Sequence, residues 1–189
     1  MPKKFATTVA EYYLKLRAKL RPIDSVVDVF NTMEKAKQVL IFLPDKLEDF
    51  GTIRLYIPDL KIAFSNSQVT FVMRHNYFTL LEKTDRKSID ILAIKPEHIS
   101  YFGLASPQLQ EMVKKFHFNI VIDLNHDFNL ISTHLSFVSH APLRICLSDK
   151  RRDLFYNFQV QASENDRLEL KYQKLIRYIT LNREYPVNP

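Results

Sequence analysis

Apolar runs of strand length alternate with helix-length amphipathic segments five times along this chain, and few folds accommodate that alternation. The runs are Gln38-Val39-Leu40-Ile41-Phe42-Leu43, closed by Pro44, then Val69-Thr70-Phe71-Val72-Met73, Ile89-Asp90-Ile91-Leu92-Ala93-Ile94, Asn119-Ile120-Val121-Ile122-Asp123 and Arg144-Ile145-Cys146-Leu147. A strand with one wet face alternates apolar and polar residues. A continuous apolar run is covered on both faces, as the strands of a parallel sheet are. Helical spacing fills the intervals at 52–64, 76–83, 107–116 and 128–139, with Ser106 as cap and Pro107 at a first helical position. The expectation is an α/β fold: a Rossmann-like doubly wound, mostly parallel sheet of five or six strands flanked by helices. Residues 155–160 are the candidate sixth strand, and a last helix is expected from 165 or 166 to about 182.

Ahead of the first strand, Phe5, Val9, Tyr12, Tyr13, Leu16 and Leu20 recur at three- and four-residue spacing and mark one apolar helix face. Lys15, Arg17, Lys19 and Arg21 occupy other faces, and Pro22 ends the helix. A second helix is expected to start at Asp24 or Ser25 and to carry Val26, Val27, Phe30 and Met33. The apolar face is expected to pack on the sheet; the alternative is weak peripheral contact with an anionic membrane. The organisation expected is a helical extension over 1–37, a Rossmann-like domain over 38–182 and a tail over 183–189.

Glycine occurs only at Gly51 and Gly103, which excludes a P-loop and a Gly-x-Gly-x-x-Gly dinucleotide fingerprint. The lone cysteine, Cys146, cannot form an intramolecular disulfide. The basic start Met1-Pro2-Lys3-Lys4 is not followed by an apolar leader core, and no run reaches the ~20 residues of a spanning helix. A cytoplasmic protein, peripheral at most to the inner membrane, is expected. A net charge of +6 favours anionic partners, whether nucleic acid, phosphorylated sugars, nucleotides or an anionic membrane surface, or equally serves only solubility. The basic residues form no long run, so no nucleic-acid partner is expected.

Ligands of open α/β sheets sit outside the carboxyl ends of the strands. That rule selects Asp45, Lys46, Glu48 and Asp49 after strand 1, and Arg74, His75 and Asn76 after strand 2. It also selects Lys95, Glu97 and His98 after strand 3, Asp123, Asn125, His126 and Asp127 after strand 4, and Ser148, Asp149 and Lys150 after strand 5. Cations there would clamp phosphate or carboxylate, and Asp and Asn would bind hydroxyls; loops facing water are polar in any case. Asp49 suits a general base that deprotonates an attacking hydroxyl, or equally a cap of the following helix. A receiver domain is excluded because strand 3 ends Ile94-Lys95-Pro96 without an acid. The six histidines form no metal-binding spacing, so no metal is expected.

In order, Val39-Leu40-Ile41-Phe42-Leu43, Asp45-Lys46-Leu47-Glu48-Asp49 and Ile57-Pro58-Asp59-Leu60 resemble the opening of family 9 glycosyltransferases, the ADP-heptose:lipopolysaccharide heptosyltransferases. There an apolar strand leads through a Gly-Asp loop to a Pro-containing helix. Val69-Thr70-Phe71-Val72-Met73-Arg74 with Tyr77, Leu80, Leu81 and Glu82 is similar to the second unit. Phe118-Asn119-Ile120-Val121-Ile122-Asp123-Leu124-Asn125 resembles the family's YDLVIDLQ strand, and Ser139-His140-Ala141-Pro142-Leu143-Arg144-Ile145 its SGAPRRIG turn. The match covers about residues 38–180. It implies the N-terminal, acceptor-binding half of a GT-B fold working in lipopolysaccharide biosynthesis, in an inverting reaction without metal or cofactor. Asp49 would be the base, with Arg74, Asp123 and Asn125 near the acceptor and Lys46, His75 and His126 completing the substrate-binding rim. The acceptor would be a phosphorylated sugar or lipid-linked.

Two departures matter. Glu48 stands in place of the family's Gly, and the donor half's Gly-rich turns and Lys-Arg-Trp-Pro-like motif find no counterpart in a chain without Trp. Transfer is therefore expected only if a second chain supplies a donor domain, because positioning both reactants contributes much of the rate. The alternative is a non-catalytic Rossmann-like module for a small anionic or glycosyl ligand or a protein partner.

Overall fold

The computed structural model describes residues 2–21, 26–80, 90–163 and 165–184. Its strands are β1 (Gln38–Phe42), β2 (Gln68–Arg74), β3 (Asp90–Ile94), β4 (Ile120–Asp123), β5 (Leu143–Leu147) and β6 (Phe158–Val160). They form one sheet in the order β3-β2-β1-β4-β5-β6, and every pairing is parallel. The sixth strand falls inside the expected 155–160. The helices are α1 (Pro2–Lys19), α2 (Val29–Lys35), α3 (Leu47–Ile53), α4 (Ile57–Ala63), α5 (Pro107–Lys115), α6 (Leu130–Val138) and α7 (Leu168–Glu184).

Strand side chains alternate between faces, and β1 divides the core accordingly. Val39, Ile41 and Leu43 face one layer with Met33 of α2, Phe50 of α3, Leu60 of α4 and Tyr172 and Leu175 of α7. Leu40 and Phe42 face the other, with Leu14 of α1, Leu109 and Val113 of α5 and Ile131 and Leu135 of α6. Each such aliphatic or aromatic side chain contributes about 1.5–3 kcal/mol through burial. Cys146 is fully buried in the second layer, and burial pushes its thiol up to about 12, which makes it inert.

Three boundaries differ from the sequence expectation. The helix after β1 begins at Leu47, not near 52, because Glu48 and Asp49 in its first turn complement the helix dipole. A turn of 3₁₀ helix over Arg54–Tyr56 then separates α3 from α4, whose first turn holds Pro58, a residue with no N–H to continue the ladder. The cap of α2 is Asp28, whose carboxylate accepts from the Asn31 amide. The proposed stop and starts at Pro22, Asp24 and Ser25 lie outside the described residues, as do residues 81–83 of the expected short helix, Ile89 and the tail beyond 184. His75–Leu80 is 3₁₀ helix. His117 and His140, at φ 47° and 54°, follow α5 and α6 where a left-handed residue closes the helix, a place glycine usually takes.

The largest difference is α1. Its buried face is Ala6, Ala10 and Leu14, and the stripe expected to face the sheet points outward. Small residues at four-residue spacing let the helix sit close on α6, so the bulky residues are left on the far side.

His134 of α6 is buried, and its Nδ1 accepts the Ala105 amide at 3.0 Å. Burial first, then the charges of Arg17 and Lys114, lowers the ring from 6.5 to about 4. In that window the unfolded ring takes up a proton that the folded ring refuses, so stability is lost as pH falls from 6.5 towards 4. Urea denaturation across this range should show a loss on the order of 2–3 kcal/mol in the native chain that a His134→Gln variant lacks.

Candidate functional site

Connections from β1 and β4 leave towards opposite faces of the sheet, and adjacent strands of that kind open a crevice at their carboxyl ends. Asp45 enters this crevice from the β1 loop. Its Oδ2 accepts from Arg74 Nη2 at 2.6 Å and from Asn129 Nδ2 at 2.8 Å. Its carbonyl accepts the Tyr77 hydroxyl at 2.7 Å, and its amide donates to Asn125 Oδ1 at 2.9 Å. The carboxylate holds the Arg74 guanidinium above its ordinary range. Asn129 also caps α6, its Oδ1 accepting the amides of Ile131 and Ser132 at 3.0 Å each. One side chain therefore starts a helix and orients the acid.

A cleft of about 1060 Å³ opens beside this group, at the upper end of the ligand-site range. Asp45, Arg74, His75, Tyr77 and Asn129 form its polar end, and Ile94, Ile99 and Tyr101 an apolar wall. Thr7 brings α1 to its edge.

Behind the cleft lies a buried ionic node. Asp123, fully inaccessible at the end of β4, accepts from the Asn125 amide at 3.0 Å, Asn125 Nδ2 at 2.8 Å, Ser132 Oγ at 2.7 Å and Tyr156 Oη at 2.6 Å. Arg152 Nη2 is 4.0 Å from it. That guanidinium, also inaccessible, donates to the carbonyls of Leu147 at 3.2 Å, Asn125 at 2.8 Å and Asp127. Burial and then the Asp123 charge push the Tyr156 hydroxyl far above its usual range.

A second group lies under α3. Asp49, 4% exposed, has Oδ2 2.6 Å from His126 Nδ1, while His126 Nε2 is 3.1 Å from Asp127 Oδ1. Lys46 pairs with Asp127. Burial raises the Asp127 carboxyl, but the Lys46 hydrogen bond and the charges of His126, Lys46 and Arg152 more than offset it and leave it lowered. Among the described residues, no three His, Cys, Asp or Glu side chains converge as metal ligands would.

The seven residues given site roles with the family resemblance share one rim but divide by role. Arg74 and His75 line the cleft. Asp49 and His126 bind each other, and Asp49 neither lines the cleft nor caps α3 through its side chain. Lys46 is exposed and paired, Asn125 bridges the β1 loop to the β4 strand end, and Asp123 is structural. Tyr77, Tyr101 and Asn129 complete the cleft without having been singled out. Asn129 carried a signal, being a cap residue before the apolar helix 130–138.

No protein-family model and no curated protein matches the sequence. Solved structures do. E. coli heptosyltransferase WaaC with ADP superimposes at a TM-score of 0.54 with 13% identity, over 80% of this chain and 49% of that one. A family 9 glycosyl transferase from Veillonella parvula gives 0.57 and 19%, over 76% and 41%. WaaC with ADP-2-deoxy-2-fluoro heptose gives 0.51 and 13%, over 80% and 50%. The chain has the fold of half a family 9 glycosyltransferase. It spans about half the length of the solved structures it matches, and at these identities the fold alone is shared.

Removing the Asp123 charge tests the node behind this half-fold. Asp123→Asn leaves Arg152 buried beside a neutral amide and should cost about 3–5 kcal/mol in chemical denaturation. Combining it with Arg152→Met should recover part of that loss, the coupling expected of groups that share partners.

Proposed function

We propose that the chain is the N-terminal, acceptor-binding half of an inverting, metal-independent glycosyltransferase of the heptosyltransferase kind. The observation that carries this reading is the coincidence of two independent features: the cleft at the carboxyl ends of β1, β2 and β3, bordered by the start of α6, and a fold match that takes in most of this chain and about half of each relative. A hydroxyl-rich acceptor would lie against Ile99 and Tyr101, with Arg74 and His75 towards its anionic group and Asn129 towards its hydroxyls. Transfer needs the donor-binding half of such an enzyme, on this or another chain. The acceptor hydroxyl then attacks the anomeric carbon, the nucleoside diphosphate leaves with the bonding electrons, and the hydroxyl proton passes to a base. Asp49 is the base in this reading. Its carboxylate faces His126 and does not line the cleft, so in this reading the acceptor hydroxyl must reach beyond the cleft and either displace the imidazole or pass its proton through it. Lipopolysaccharide assembly at the cytoplasmic side of a membrane is the setting this chemistry suits.

The engagement of Asp49 by His126 favours a second reading, a non-catalytic module that uses the same cleft for a small anionic or glycosyl ligand. Thermal shift tests the cleft, and transfer with a donor half separates the two readings. A phosphorylated core-sugar acceptor in about hundredfold excess over its Kd should raise Tm by roughly 5 °C or more, ADP alone should leave it unchanged, and Arg74→Ala should remove the acceptor response. No response to any acceptor overturns the transferase half. With a donor half supplied, Asp49→Asn should abolish transfer while the acceptor-induced shift persists.

A further inference from the structure

A globular helix turns its largest apolar residues inward, and α1 does the reverse. Phe5 and Tyr12 are 73% and 72% exposed, Leu20 just beyond the helix 78%, and Val9, Tyr13 and Leu16 are also open. At helical spacing these six form one stripe, adjoining the Ala6, Ala10 and Leu14 face that seats the helix. Lys15 and Lys19 border the stripe on one side and Arg17 on the other. The single acid of α1, Glu11, is bound by Lys15 at 2.8 Å and Arg151 at 2.6 Å.

Where α1 ends, its basic border runs into a second cavity, of about 410 Å³, lined by Arg17, Arg21, Gln110, Lys114, Phe137 and His140. The Arg17 and Arg21 guanidinium carbons stand 5.8 and 5.7 Å from the Phe137 ring centroid, which positions both groups over an apolar floor. No acid is among the described residues that line it, and Lys114 pairs with Glu111 at 2.8 Å. The local field is positive: burial first, then Arg21, Lys114, Arg144 and Arg17, hold the His140 imidazole below its ordinary value.

We propose that α1 and this cavity together form a docking surface for an anionic phospholipid bilayer, with the apolar stripe seated among the upper acyl chains and a lipid phosphate held by Arg17, Arg21 and Lys114. Basic flanks on an exposed apolar helix are what an anionic interface selects, through apolar burial and attraction to its negative surface potential. A second copy of this chain would bring the same cations against themselves, so charge complementarity favours lipid. Among the described residues no helix is long and apolar enough to cross a membrane, so contact of this kind is interfacial. The proposal stands apart from sugar transfer and does not depend on it.

Vesicle co-sedimentation of the full chain tests it. The chain should pellet with phosphatidylcholine vesicles containing about one third phosphatidylglycerol, not with phosphatidylcholine alone, and release at ~0.5 M salt. Phe5→Ser, Tyr12→Ser and Leu16→Ser combined, and separately Arg17→Glu with Lys114→Glu, should each weaken binding about tenfold or more while the circular-dichroism melt keeps its native midpoint. The chain contains no Trp, so a Leu16→Trp variant reports directly: its emission should shift to the blue on the anionic vesicles alone. Absence of pelleting, pelleting unaffected by the serine changes, or an unshifted emission overturns the proposal. So does a lipid-free dimer that the serine changes dissolve, which assigns the stripe to a second copy.

Discussion

The Asp123–Arg152 node fixes the carboxyl edge of the sheet. Neither charge reaches water, and a buried ion is tolerated only where nearly all its hydrogen-bonding capacity is met. Asp123 meets that condition by drawing in the β4 loop through Asn125, α6 through Ser132 and the segment before β6 through Tyr156. Arg152 meets it through its two terminal nitrogens, which bind carbonyls of the β4 loop and of the end of β5, while its Nε has no hydrogen-bond partner among the described residues. Asn125, oriented by Asp123, in turn accepts the Asp45 amide, so the acid at the mouth of the cleft is located through a carboxylate that no ligand can touch.

The sheet was legible because its strands are covered on both sides. Continuous apolar runs closed by Pro44 or by charged residues have few other readings, and the candidate sixth strand at 155–160 contains the observed β6. The orientation of α1 was not legible, for a specific reason. Two stripes run along that helix, one large and one small, and the greater hydrophobicity of Phe5, Tyr12 and Leu16 outweighs Ala6 and Ala10 in any periodicity argument. What decides is close approach: two alanines and Leu14 fit the space over α6 and the bulkier set does not. The start of α3 was obscured similarly, since Asp49 read as a cap ahead of a helix near 52 while it and Glu48 stand within the first turn.

The site was legible as a rim and illegible as a division of labour. Asp45, Asp49 and Asp123 are all acids at strand ends, and sequence gives no means of telling which is open. Their environments come from partners about 30 to 80 residues away: Arg74 for Asp45, His126 for Asp49, and Tyr156 with Arg152 for Asp123. Strand-end rules give the location of ligand chemistry, and tertiary pairing then withdraws most of the polar groups found there into structural duty.

That withdrawal bears on what the cleft accepts. Asp45 takes one nitrogen of the Arg74 guanidinium, and the planar fork carries further N–H donors that this contact does not use. An anion reaching Arg74 meets a cation already half neutralised, at a position about one-third exposed. Coulomb attraction there is correspondingly weakened, so a bare phosphate gains little. A ligand that gains more spreads hydroxyls over His75 and Asn129 and lays a C–H face against Ile99 and Tyr101, while touching Arg74 with a single anionic group. In the proposed reading, the apolar wall and the uncharged polar groups of the cleft would therefore matter beside the single cation that net charge alone would have emphasised.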